Sequence, residues 1–213
     1  MKNLFAFCLA LAFSLFGSGC VLGRRTVDLP VPTATMSLPA SKGTVAINSI
    51  VDARRFENNP DHPSTPSIDG DVNSQSAEQL STVIGRQRNG FGHAMGDVAL
   101  PPGETVQTRV KELVAQGFAR RGYAITTSAS ADYTVDVRIN SFWAWTPYGP
   151  FIASVDCSFI AKHDGHTQTF TVQGSGATGV MPMGTDSDWQ LAYTRAFEDF
   201  LAKFDQELTK AGF

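Results

Sequence analysis

The sequence predicts an α+β two-layer sandwich: a mainly antiparallel sheet of about four strands with two helices packed on one face. Three observations predict it. Strict apolar–polar alternation recurs in Tyr133–Asn140 and again in Phe151–Phe159, the period of strands with one buried face. Two segments carry apolar residues at helical spacing. The order of elements is strand, insertion, helix, three strands, helix, which suits a sheet covered on one side.

The first strand is read in "TVAINSIVD", ending near Asp52. Asp52 and Arg54 then share one side of the strand end. They form either a surface ion pair or a contact for a partner. Residues 55–82 are rich in Asn, Pro, Ser and Asp and read as a mobile surface insertion. Val83 and Ile84 suggest a short strand beside glycines. After Pro101-Pro102-Gly103, the residues Val106, Val110, Leu113, Val114, Gly117 and Phe118 mark one helix face. Gly122 suits its left-handed cap.

In the next strand Tyr133, Val135, Val137 and Ile139 face inward. Asp164-Gly165 predicts a type I′ hairpin turn between the following two strands. In the last segment, Trp189, Tyr193, Ala196, Phe197, Phe200, Phe204 and Leu208 form a helical stripe begun by Thr185 and Asp188.

The densest aromatic stretch is "SFWAWTPYGPF", Ser141 to Phe151. Continuing the strand phase puts Trp143 and Trp145 inward with Phe151, and leaves Phe142 and Tyr148 for a surface patch floored by the tryptophans. A bulge near Ser141 reverses that phase. The candidate partner surface is therefore Phe142, Tyr148, Trp145, Asp52 and Arg54.

The chain begins "MKNLFAFCLALAFSLFGSGC". A lysine, an apolar run and small residues make a secretory signal peptide, too short to span a bilayer comfortably. Residues 1–19 are assigned to it. Ser18-Gly19-Cys20 resembles the lipobox of bacterial lipoproteins, in which the cysteine is lipidated and becomes the mature N-terminus. Gly17 departs from the aliphatic residue usual there, and the alternative is an ordinary secreted protein cut near Gly19. The resemblance makes Cys20 the lipid-attachment residue. With Val21 where an inner-membrane retention aspartate would stand, it implies the periplasmic face of the outer membrane. Residues 20–42, with Pro30, Pro32 and Pro39, read as anchor and extended tether, and 43–213 as one domain.

The leader carries one lysine and no acid, so the mature chain stands at −4 against −3 for the whole sequence. A mildly acidic chain without a basic tract argues against nucleic acid. With Cys8 in the leader and Cys20 acylated, Cys157 is left alone in a strand, where a buried thiol is expected.

Asp52-Ala53-Arg54, Ile84-Gly85, Arg121-Gly122-Tyr123, the hairpin and the last helix together resemble the YajG-type family of bacterial envelope lipoproteins, over most of Thr44 to Phe213. That resemblance implies a lipid-anchored envelope protein without catalytic activity. The layout is also similar to lipoproteins that assist assembly machines.

Catalytic patterns are weak. "HDGH", His163 to His166, is explained by its turn. Asp69, Asp71 and Asn73 begin like a calcium loop, but Ser74 and Leu80 stand where Gly and Glu are needed. Gly174-Ser175-Gly176 lacks the spacing of a nucleophile elbow. No cofactor or metal is implied. The expected function is a non-catalytic binding or accessory factor for an envelope assembly, flagellar or transport complex, bound to the membrane by its lipid and to an envelope protein partner. The alternative is an envelope hydrolase using His62 or His93.

Overall fold

The structure is a computed structural model, which describes residues 23–33, 42–89, 91–146, 149–179 and 184–213. Its strands are β1 (Arg25–Thr26), β2 (Thr44–Asp52), β3 (Val83–Arg88), β4 (Ala94–Ala99), β5 (Ala124–Thr126), β6 (Tyr133–Trp145), β7 (Ile152–His163) and β8 (His166–Ala177). Its helices are α1 (Ala77–Thr82), α2 (Val106–Arg120) and α3 (Asp186–Lys210). Cys20, the signal segment and Tyr148 lie outside the described residues.

The expected four-stranded antiparallel sheet with two helices is overturned. Eight described strands form one mixed sheet, and three helices accompany it. Strand β6 is the spine. Its whole length pairs antiparallel with β7, which pairs with β8. Its other edge is divided between two parallel partners: β2 runs beside Tyr133–Ile139, and β3 joins at Ala144. Beyond β2 lies β5, and beyond β3 lie β4 and then β1. The parallel pairing of β2 with β6 needs a crossover, which α2 supplies.

The missed strands carry little alternation. Strands β1 and β5 are two and three residues long, and β4 is interrupted by glycine; the short strand expected at Val83 and Ile84 is the start of β3. Residues 25–33, expected as tether, join the body instead. Val27 and Leu29 are buried in the core, and Val27 donates its N–H to the Ala99 carbonyl at 2.8 Å.

The core lies between the sheet and the faces of α2 and α3. Val106, Val110, Leu113, Val114 and Phe118 of α2, and the aromatic stripe of α3, meet Val135, Val137, Ile139, Val155, Cys157, Phe159 and Val172. The β7–β8 hairpin has the expected turn, with positive φ at Asp164 (47°) and Gly165 (77°).

The β6–β7 register breaks between Ile139 and Ser141. This bulge turns the strand over. Before it, Val135, Val137 and Ile139 face the helices. After it, Phe142 and Ala144 do. Trp143 consequently points to the far face, where it packs with Ile68 and Val83, and half-buried Phe56, Val72, Leu80 and Trp145 border that cluster. The inward placement of Trp143 and Trp145 under the helices is thus reversed, while Phe151 does lie in the helix-side core, its ring 4.3 Å from that of Trp189. The insertion at 55–82 folds back over the far face: the indole N–H of Trp143 donates to the Pro63 carbonyl at 3.0 Å, and Ser67 and Ile68 are buried.

Candidate functional site at the insertion-covered end of the sheet

The site is built where β2 leaves the spine and the insertion crosses it. Arg54 lies at this branch with its side chain 0% exposed. Its Nε and Nη2 donate to the two carboxylate oxygens of Asp52 at 2.9 and 2.8 Å. Nη1 donates to the carbonyls of Val83 (2.6 Å) and Phe142 (3.1 Å), and Nη2 also to that of Leu80 (2.9 Å). The guanidinium lies 5.1 Å from the Phe56 ring centroid. Every donor direction is consumed inside the protein, so Arg54 offers nothing to a partner.

Phe142 does not form a surface patch either. It is fully buried, its ring 5.0 Å from that of Tyr193. The Tyr193 hydroxyl donates to the Ile84 carbonyl at 2.6 Å, and burial pushes its pKa well above the ordinary value. Of the expected surface, Phe142 and Arg54 are therefore interior, Asp52 is half-buried in its pairing with Arg54, and Trp145 is half-buried at the border of the far-face cluster. For Phe142 the physical reason is the bulge, which exchanges the faces of residues 142 and 143.

What the branch does open is a groove of about 430 Å³ on the polar face. Ala53, Arg55 and Glu57 come from the chain leaving β2, Ser64, Thr65 and Pro66 from the insertion, and Arg138, Asn140 and Ser141 from β6. Arg55 and Arg138 are exposed. Neither guanidinium has a hydrogen bond or ion pair with a described residue. Two guanidinium groups without a partner among the described residues, set among hydroxyl and amide groups and the Glu57 carboxylate, make a polar cleft suited to carboxylate or other anionic groups, which arginine binds through paired N–H donors. Arg138 could be placed on the polar face from alternation alone. Its meeting with Arg55 and Ser64 depends on the path of the insertion, for which the sequence has no periodic signal.

The other singled-out residues have structural work. Asp69 pairs with Arg86 at 3.1 Å. Asp71 caps the short 3-10 turn by accepting from the Asn73 N–H, and hydrogen bonds from Asn58 and Asn73 hold its pKa below the usual range. His163 stacks on Tyr133 with centroids 4.0 Å apart, and its Nδ1 lies 2.7 Å from the Asp132 carbonyl. Gly174 and Gly176 lie under α3, where an added Cβ would meet the carbonyl oxygens of Ala196 and Ala192 at 2.3 and 2.2 Å. Cys157 is buried, and desolvation pushes its thiol pKa strongly upward. His62 and His93 are exposed. Among the described residues no group of three His, Cys, Asp or Glu side chains could hold a metal. No described helix is long and apolar enough to cross a membrane.

No protein-family model matches the chain, and no curated protein matches it. Among solved structures, a Xanthomonas campestris protein of the family DUF330 aligns over 87% of this chain and 92% of its own, at 11% identity and a TM-score of 0.47. A "putative lipoprotein" from Caulobacter crescentus aligns over 50% of this chain and 84% of its own, at 14% identity and a TM-score of 0.35. A hypothetical protein from Chlamydia trachomatis aligns over 79% of this chain and 99% of its own, at 13% identity and a TM-score of 0.33. Likenesses this distant carry no function across.

Proposed function

We propose that this chain is a lipid-anchored envelope protein, attached through Cys20 at the periplasmic face of the outer membrane. It acts without turnover as a binding or accessory factor, and it receives an anionic segment of an envelope protein in the Arg55–Arg138 groove. One observation carries the reading: the signal-like leader ends in Ser18-Gly19-Cys20, immediately ahead of the folded body. A single acyl chain holds a protein only marginally, so several chains on one N-terminal cysteine would make the attachment stable. The free guanidinium groups of the groove supply the binding chemistry.

The anchor is tested by the mass of the N-terminal peptide and by palmitate labelling of cells. Cys20→Ala should lose the label and leave the outer-membrane fraction. Persistence of both in that variant sinks the anchor. Binding is tested by in-cell photocrosslinking from position 64 at the groove rim. One discrete adduct should form in the parent protein and fade in Arg55→Ala/Arg138→Ala. An adduct indifferent to both arginines removes the groove from the function.

A further inference from the structure

The entry of the chain into the fold fixes which end of the sheet meets the bilayer. Gly23 donates its N–H to the Met95 carbonyl at 3.1 Å, and β1 then runs parallel to β4 with Arg25 beside Val98. Cys20 is three residues before Gly23, a span of at most ~11 Å for extended chain. A body anchored at Cys20 therefore has no long tether on which to turn, and the N-terminal end of β4 is held close to the lipid.

That end of β4 belongs to the β3–β4 hairpin, whose tip carries Phe91. This residue is 86% exposed, the most exposed of the large apolar residues described. The tip is well braced. The Asn89 side-chain oxygen accepts from the N–H groups of Phe91 and His93, both at 3.0 Å. Gly92, with φ of 83°, donates to the Asn89 carbonyl at 2.9 Å, and Arg88 donates to the Gly92 carbonyl at 3.0 Å. Phe91 is thus presented to solvent on a turn closed by its own hydrogen bonds. From Gln87 to Gly96 the sequence has one arginine and one histidine and no carboxylate, and the Arg88 guanidinium is held at the tip by its bond to Gly92. An aromatic ring on a turn that also holds the Arg88 guanidinium suits the headgroup region of a bilayer containing anionic lipid.

We infer that the β3–β4 tip is a second membrane contact, with Phe91 inserted among the lipid headgroups beside the acylated Cys20. This rests on the anchor proposed above. It sets the molecule upright, with the β7–β8 hairpin at the opposite end of β6, roughly 40 Å away for a strand of this length. Held in this way, the protein would present its polar face and groove sideways, free of the membrane.

The test uses full-length acylated protein in vesicles of phosphatidylethanolamine and phosphatidylglycerol, with and without a doxyl-labelled lipid. Phe91→Cys and, separately, Thr167→Cys near the far hairpin carry an environment-sensitive fluorophore; buried Cys157 does not compete for it. The probe at 91 should shift to the blue and lose most of its emission to doxyl lipid, while the probe at 167 does neither. Mass spectrometry of the same sample reports the acyl chains. Acylated protein whose probe at 91 is unquenched overturns the contact while leaving the anchor standing. A blue shift without doxyl quenching means that a protein surface or second copy covers the tip, and also overturns it. Protein that is not acylated and does not float with vesicles overturns the anchor and the orientation together.

Discussion

Arg54 clasps the carboxylate of Asp52, two residues before it, and from that position also reaches the backbone of three other segments. The reason lies in the division of the β6 edge. Where β2 ends and β3 begins, the guanidinium donates to the carbonyls of Phe142 and Val83 and adds a second donor to that of Leu80, which also accepts from the Val83 N–H; buried carbonyls are costly to leave alone. A planar guanidinium with five donors satisfies all three and still pairs with a carboxylate. The ion pair therefore holds a branch in the sheet.

Arg54→Ala should destabilise the protein by about 3–5 kcal/mol, the usual loss when one member of a buried charged pair is removed. Arg54→Lys should recover only part of it, because an ammonium cannot reproduce the fork. Urea unfolding followed by tryptophan fluorescence measures both. A lysine variant as stable as the parent would show that charge alone matters here.

Trp143 ties the insertion to the far face through its contacts with Ile68 and Val83 and its bond to Pro63. Trp143→Ala should cost about 3–5 kcal/mol, as for other large buried aromatics. It should also open residues 56–76 to limited proteolysis before the rest of the chain. Cleavage starting elsewhere would mean that the insertion holds its place by other contacts.

The contrast between residues 137 and 143 shows what sequence periodicity could reveal. Val137 and Val155 lie where alternation put them, and the stripe on α3 faces the core as its spacing required. Phe142 and Trp143 exchanged faces because the extra residue of a bulge has no signature in side-chain type. Strand β1 went unread because two residues cannot show a period, although Val27 and Leu29 lie at alternate positions. The parallel pairing of β2 with β6 is a long-range choice that neither strand displays. Phe142 left the candidate surface with the phase, and the groove escaped notice because it joins Arg55 and Arg138 across 83 residues of sequence.

Two carboxylates secure the β2–β6 seam. Asp132 accepts from the Thr44 N–H and hydroxyl at 2.7 and 2.8 Å, and Asp136 from Ser49 and Asn48 at 2.6 and 2.7 Å. These hydrogen bonds hold both pKa values below the ordinary aspartate value. A depressed folded-state pKa contributes stability that is full above the unfolded value, about 3.9, and is lost as pH falls through the folded value. The unfolding midpoint should therefore drop more steeply with acid below about pH 4 in the parent than in Asp132→Asn/Asp136→Asn. Parallel acid titrations of the two proteins would refute this assignment.

Helix α3 sits so close to β8 that two strand positions have no room for a side chain. At Gly174 an added Cβ would lie 2.3 Å from the Ala196 carbonyl oxygen and 2.5 Å from the Phe200 Cβ. The first of these is backbone in mid-helix, so relief requires the whole helix to move. That movement would pull Phe200 and Phe204 away from Phe159, with ring centroids now at 6.4 and 5.0 Å. Gly174→Ala should destabilise by about 1–3 kcal/mol or more, the range for overpacking a filled core. Solvent-exposed Gly179 has no atom within 4 Å of its added Cβ and supplies the control. Gly179→Ala should leave the urea midpoint within error of the parent. Equal midpoints for the two variants would show that the helix can shift without loss, and would remove close packing as the reason for glycine at position 174.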